Sequence, residues 1–286
     1  MRFMNMPEEY SRKSSRFKII PVEYEGKPTW GRGAIRGSEK ILDSSYNLEY
    51  YDEQFDKEPF LLGIETLEKM RLKGASEGEA IEKISKRISE IHKKGTDFPI
   101  IIGGDHTVTL GVTLGMEKSG EDFSVIVLDA HSDMRESWNN SRFNHACVSK
   151  RMQEKHKILI IGLRAQDVDE MEFMKNSGNV SAIRAYEYSR KKLLTELSRL
   201  GKNVYLSIDA DFFDPSFIRN TGTPEPGGFF WNETIEILSE IFSRKNVIAA
   251  DITEFAPANN YRAEAFSLAK LCHKMMAMKM TDENFK

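Results

Sequence analysis

Apolar residues recur along this chain in two rhythms. Short unbroken runs (Ile100-Ile101-Ile102, Val125-Ile126-Val127-Leu128, Ile158-Leu159-Ile160-Ile161) are too apolar to face water on either side and read as buried strands of a parallel sheet. Between them, longer segments space their apolar positions three and four apart. From 76 to 93, Ala80, Ile81, Ile84, Ile88 and Ile91 fall on one face with charges between, which predicts an amphipathic helix covering a sheet. The same reading places strands at 17–22, 99–102, 124–128, 158–161, 180–183, 204–208 and 247–250. Helices fall at 34–42, 76–93, 108–117, 167–176, 190–199, 232–243 and 261–278. Strands alternating with helices predict a three-layer α/β/α fold, with helices on both faces of a mainly parallel central sheet. Residues 1–16 are polar and read as a loose lead-in, and 46–59 as a polar connection. With neither a repeat nor a linker in view, residues 1–286 read as a single domain.

Composition narrows the function classes. The chain is 40% hydrophobic and 30% charged, as expected of a globular protein with a sizeable core. A net charge of −3 supplies no basic field for nucleic acid. No apolar run approaches the ~18 residues of a membrane span, and Met1 to Tyr10 lacks the apolar core of an export signal. The two cysteines, Cys147 and Cys272, lie far apart and match no zinc or redox spacing, and Cys147 reads as a small core residue. These features fit a reduced, cytoplasmic setting.

Four strands end in acidic or histidine residues. Strand 99–102 delivers Asp105 and His106; strand 124–128 delivers Asp129, His131 and Asp133. Strand 204–208 delivers Asp209, Asp211 and Asp214; strand 247–250 delivers Asp251 and Glu254. In open parallel sheets, ligands collect beyond the carboxyl ends of the strands. So many carboxylates at one edge repel one another unless a cation neutralises them. Carboxylate oxygens with only two imidazoles and no thiolate suit Mn²⁺ better than structural Zn²⁺. Six ligands suffice for two ions that share carboxylates and activate a solvent molecule between them.

Three motifs carry a family resemblance: Gly-Gly-Asp-His at 103–106, Asp-Ala-His-Ser-Asp at 129–133, and Ser-Ile-Asp-Ala-Asp-x-x-Asp-Pro at 207–215. In this order they resemble the signatures of the arginase/agmatinase (ureohydrolase) family, over about residues 31–277. Smaller matches lie at Gly162-Leu163-Arg164, at 221–228 and at Asp251-Ile252-Thr253-Glu254. The resemblance implies an arginase-like fold with two Mn²⁺ per subunit. His106, Asp129, Asp133 and Asp209 would hold one ion, and His131, Asp129, Asp209 and Asp211 the other. Asp133 would orient a metal-bridging hydroxide, Glu254 would pair with a substrate guanidinium, and His145 would transfer a proton. Asp105 and Asp214 would brace their loops. The resemblance also implies a homo-oligomer, a trimer or hexamer. His92, His156 and His273 receive no role.

The segment from Met134 to Asn144 should touch the far end of the substrate. It is similar to the agmatinase pattern rather than the Ser/Asn-rich arginase one, and Glu225 points the same way. Ser137, Asn140 and Asn144 depart from that pattern, as does Ile218-Arg219-Asn220. The expected reaction is hydrolysis of agmatine to putrescine and urea, with arginine, guanidinobutyrate or another guanidino compound as alternatives. An amide hydrolase would be expected to lack the Glu254 motif, and a non-catalytic relative would be expected to have lost a ligand. Neither loss is seen.

Overall fold

In the computed structural model, which describes residues 1–92, 95–258, 262–282 and 285, nine strands form one sheet. They are β1 (Phe17–Glu23), β2 (Ile64–Thr66), β3 (Met70–Arg71), β4 (Phe98–Ile102), β5 (Ser124–Leu128), β6 (Ile158–Leu163), β7 (Val180–Arg184), β8 (Asn203–Asp209) and β9 (Asn246–Thr253). Their order is β2-β1-β4-β9-β8-β5-β6-β7, with β3 also beside β1, and every pairing of these strands is parallel. The four strands that end in candidate ligands, β4, β9, β8 and β5, are therefore consecutive neighbours at the centre of the sheet. A chain that returns its last strand between the fourth and the eighth brings residues 106 and 254 together. Sequence distance gives no hint of this.

Alternation along each strand feeds two cores. Ile100, Ile102, Ile126, Leu128, Leu159 and Ile161 point to one side, Ile101, Val125, Val127, Ile158 and Ile160 to the other. The first side is covered by α1 (Gly37–Ser45), α6 (Arg190–Ser198), α7 (Trp231–Arg244) and α8 (Ala263–Lys279), which contribute Ile41, Leu193, Ile235, Leu238 and Leu268. The second is covered by α2 (Glu77–Ile91), α3 (Thr107–Lys118), α4 (Val148–Met152) and α5 (Val168–Asn176). A capping box starts α2: the Glu79 side chain accepts from the Ser76 backbone N–H at 2.9 Å while the Ser76 hydroxyl faces the Glu79 N–H. Glycines 111 and 115 let α2 lie directly on α3, since a Cβ at either would sit 2.7 or 2.6 Å from Ile84 or Ile88.

The differences from the sequence reading have local causes. Residues 1–16 are not a loose lead-in: Phe3, Met4 and Met6 are buried in the first core, and the backbone N–H groups of Phe3 and Met4 donate to Thr66 Oγ1 and Ser45 Oγ at 2.8 Å. Three apolar residues among many polar ones were enough to anchor the segment. Strands β2 and β3 and helix α4 are too short to show a period. The helix read from 34 begins as a 3₁₀ turn at Ala34–Arg36. Residue 93, the expected end of α2, and residue 261, the expected start of α8, lie outside the described residues.

The unassigned histidines have structural partners. His92 is buried at the amino-terminal end of the sheet, with Nδ1 3.1 Å from Asp97 and Nε2 3.0 Å from Glu121. Burial alone would lower its pKa, but the two carboxylates outweigh it and raise the value. His156 packs on Phe123 with Nε2 3.0 Å from Glu117, and His273 approaches the Tyr50 carbonyl at 3.2 Å.

Candidate metal centre and substrate cavity

At the carboxyl edge the backbone aims one oxygen of each carboxylate inward by occupying the other. Asp129 Oδ1 accepts from the His131 N–H at 2.6 Å, Asp209 Oδ1 from the Asp211 N–H at 2.9 Å, and Asp211 Oδ1 from the Ala130 N–H at 3.2 Å. The second oxygens converge on imidazole nitrogens. His106 Nδ1 lies 3.3 Å from Asp129 Oδ2, 3.0 Å from Asp133 Oδ2 and 3.3 Å from Asp209 Oδ2. His131 Nδ1 lies 2.9 Å from Asp211 Oδ2 and 3.7 Å from Asp129 Oδ1. Two groups are close enough to hold a metal ion, His106 with Asp129 and Asp209, and Asp129 with His131 and Asp211. Asp129 belongs to both. Asp133 stands beside the first group through its contact with His106. Strand β8 ends at Asp209, and a turn at Ala210–Phe212 puts Ala210 in the core while Asp209 and Asp211 stay on the site.

The electrostatics call for positive charge. Burial, reinforced by neighbouring carboxylates, pushes Asp209 well above the usual carboxylate range and raises Asp133. Burial opposes ionisation of Asp129 too, but the adjacent imidazoles of His106 and His131 outweigh it and hold it low. His131 is lifted to about 12 because Asp211 and Asp129 overcome the opposing effect of burial. His106 Nδ1 and Asp129 Oδ2 face each other, both buried and neither with a hydrogen-bond partner. Unmatched buried polar atoms are costly. A divalent cation matches both at once, so the residues present fit a metal pair.

The ligands are braced from behind. Ser207 Oγ lies 3.0 Å from His106 Nε2 and donates to Asp251 Oδ1 at 2.6 Å. Asp251 also accepts from Tyr205 and Thr109 at 2.5 and 2.7 Å. It is therefore not part of the ligand edge where its sequence position placed it. Strand β9 continues to Thr253, and Asp251 projects from its face beneath His106. Asp105 accepts from the Gly26 and Thr107 N–H groups at 2.6 and 3.2 Å, tying the loop after β1 to the start of α3. Asp214 holds the N–H groups of Gly227 and Gly228 at 2.8 and 3.2 Å. Arg164 donates to the carbonyls of Asp211 and Glu225 at 2.7 and 2.9 Å, fastening the metal turn to the 221–228 loop. Gly104 allows the chain just after β1 to approach closely, since a Cβ there would lie 1.6 Å from the Tyr24 carbonyl oxygen.

A cavity of about 260 Å³ opens on the centre. It is lined by the buried Asp133, Asp209, Asp211 and Glu254 with His131 and His145, and by the more exposed Thr29, Arg135, Trp138, Asp167 and Glu225, the last 4.0 Å from His131 Nε2. Glu254 has φ +60° and Asp133 φ +51°, left-handed conformations that non-glycine residues adopt at a cost and that gather at functional sites. Glu254 Oε1 accepts from the His106 N–H at 2.8 Å, and burial raises its carboxyl to about 8. His145 Nδ1 lies 3.6 Å from the same oxygen. The 134–144 loop reaches the outer cavity as expected: Arg135 stacks over Trp138 at 4.2 Å and pairs with Asp167 at 2.5 Å. Asn139 and Asn140 have φ +48° and +61° and close a tight turn across the Trp138–Ser141 pair. Asparagine tolerates this conformation, so Asn139 and Asn140 suit the turn they make. Sequence reasoning missed Thr29 and the bracing role of Ser207. Thr29 sat in a stretch with no more signal than its turns, and Ser207 was visible only as the first residue of its motif.

Comparison with known proteins agrees with this geometry. A family model described as the Arginase family matches residues 15–278. The chain is 35% identical over 268 residues to an N(1)-aminopropylagmatine ureohydrolase of Synechocystis sp., covering 90% of this chain and 87% of that one. It is 32% identical over 268 residues to an agmatinase of Pyrococcus horikoshii, covering 93% of each. Among solved structures, the agmatine ureohydrolase of Thermoplasma volcanium superposes with a TM-score of 0.82 at 23% identity, covering 94% of this chain and 91% of that one. Motifs, fold and relatives coincide: the chain belongs to the arginase family and is an agmatinase-like ureohydrolase.

Proposed function

We propose that this chain hydrolyses agmatine to putrescine and urea with two Mn²⁺ ions, held by His106, Asp129, His131, Asp133, Asp209 and Asp211. The observation that carries this reading is a cavity with one carboxylate buried inside, Glu254, and another in its more exposed lining, Glu225, where Asp167 is already paired with Arg135. Such a cavity suits a substrate with a guanidinium at one end and an amine at the other. With Arg135 occupied by Asp167, Glu225 opposes a substrate that ends in a carboxylate. When bound, the metal pair supplies Lewis acidity and makes water nucleophilic near neutral pH.

The protein's own groups do the rest. Glu254 pairs with the guanidinium through parallel hydrogen bonds. A docked cation restores the charge that burial opposes in a carboxyl lifted to about 8. Water adds to the guanidinium carbon as Asp133 accepts its proton. The carbon–nitrogen bond then breaks toward the amine, which takes a proton from His145 Nδ1; the proton left on the added oxygen is released to solvent as the carbonyl of urea forms, the proton held by Asp133 recharges the imidazole, and urea and putrescine leave.

A second substrate, N(1)-aminopropylagmatine, is favoured by the name of the Synechocystis relative. Its extra amine would extend past Glu225 toward the exposed lining. Urea release from agmatine, N(1)-aminopropylagmatine, arginine and guanidinobutyrate, measured side by side, separates these readings. The amine-ended substrates should exceed the carboxylate-ended ones by about a hundredfold in kcat/KM, since like charges facing each other cost several kcal/mol. A preference for arginine or guanidinobutyrate would refute the cavity argument.

A further inference from the structure

Thr29 is bound to the group that the proposed reaction uses for proton transfer. Its hydroxyl oxygen lies 3.0 Å from His145 Nε2 and accepts the Trp138 indole N–H at 3.0 Å. The surrounding contacts hold this arrangement in place. Asn144 accepts the Ala146 N–H at the start of the turn that carries His145, and its amide donates to the Lys27 carbonyl at 3.0 Å. The loop after β1 and the 134–146 segment are thus stitched together on both sides of the imidazole.

The two ring nitrogens face different surroundings. Nδ1 points into the cavity, 3.6 Å from Glu254 Oε1; Nε2 points to Thr29, which is exposed. A proton exchanged with substrate must therefore travel on Nδ1, which requires the other proton to stay on Nε2. An indole N–H is a donor only, so it takes one of the two acceptor positions of Thr29 Oγ1. The second is free for an Nε2–H, and against the imidazolium, which carries a hydrogen on both ring nitrogens, the hydroxyl can only accept there while its own proton turns to solvent. A partner on one ring nitrogen decides which nitrogen carries the proton, and misplacing the tautomer of a catalytic histidine is costly.

We propose that Thr29 is a positioning residue that fixes the Nε2–H tautomer of His145 and so keeps Nδ1 available for proton exchange with the substrate. The inference rests on the reading of His145 as the proton donor. In the step it serves, the carbon–nitrogen pair goes to the leaving nitrogen and the Nδ1–H bond of the imidazolium breaks. The amine N–H forms, and the ring is left neutral with its proton on Nε2 facing Thr29.

The test uses the full-length, Mn²⁺-loaded protein with agmatine and the variants Thr29→Val, which keeps the shape, and Thr29→Ser, which keeps the hydroxyl. Thr29→Val should lower kcat about tenfold, the scale of one lost hydrogen bond, with KM within about twofold. Thr29→Ser should stay close to the wild type, and Thr29→Val should cost nothing further in a His145→Ala background. A Thr29→Val enzyme with unchanged kcat, an equal loss in Thr29→Ser, or an equal loss without His145 would overturn the proposal. Nitrogen NMR of the histidine rings in the protein loaded with diamagnetic Mg²⁺ decides it independently of turnover. The His145 proton should sit on Nε2 in the wild type and redistribute in Thr29→Val; a wild-type ring protonated on Nδ1 alone contradicts it. A wild type that releases no urea while showing the expected tautomer shift would sink the substrate reading and leave the Thr29 assignment standing.

Discussion

Asp129→Ala is expected to lose both metal ions and to release urea at least about a thousandfold more slowly than the parent, a barrier increase of about 4 kcal/mol. Asp129 is the one residue common to both metal-capable groups, and its Oδ2 is a buried acceptor with no other partner. Removing it takes a ligand from each ion rather than weakening one. The folded state should survive, because the same carboxylate contributes to the raised pKa values of Asp133 and Asp209. Its loss relieves that repulsion, which offsets the hydrogen bond from the His131 N–H and the attraction of the His106 and His131 imidazoles that go with it. The decisive readings are metal content by elemental analysis, urea production, and a melting temperature of the metal-free protein within a few degrees of the parent. Two retained ions, or unimpaired urea release, would refute the ligand assignment.

Glu254→Gln should have the opposite signature, keeping the metals and losing the turnover. The amide oxygen can still accept the His106 N–H that Glu254 Oε1 now accepts at 2.8 Å, so the ligand-bearing loop keeps its support. What disappears is the charge that a guanidinium needs. Loss of a charged, desolvated hydrogen-bonding partner is worth about 2–4 kcal/mol, which predicts a fall in kcat/KM of about 30-fold to 10³. Metal content should remain at the parental value, and burying a neutral group instead of a carboxyl should not lower stability. An unchanged rate would remove Glu254 from substrate recognition, and a loss of metal would show that its role is to support the centre.

The sequence was most informative where one residue type does one thing. The runs at 100–102 and 125–128 read as buried strands because they are too apolar to face water on either side. His106, Asp129, His131, Asp209 and Asp211 announced themselves because carboxylates and imidazoles at strand ends are costly without a cation to meet them. What could not be read was which strands are neighbours: β9 lies between β4 and β8 although it closes the sequence of strands. That choice is made by the packing of helices on both faces. Asp251 illustrates the error this invites. A buried carboxylate served by Tyr205, Ser207 and Thr109 looks, in sequence, like one more member of a polar strand end. Thr29 illustrates the converse, since a hydroxyl in a turn-rich loop gains meaning only when the fold places it 3.0 Å from His145. Short elements and the buried Phe3, Met4 and Met6 escaped because their stability comes from contacts with distant residues rather than from any period of their own.

The most direct test of the metal-dependent guanidine chemistry is a titration. The purified chain is stripped with a chelator, Mn²⁺ is returned stepwise, and urea from agmatine is read at each step. No urea before Mn²⁺ is added, and a rise that saturates at two ions per chain, is the predicted result. Urea released at the full rate by the stripped protein, or none from agmatine or N(1)-aminopropylagmatine at saturation, would contradict it.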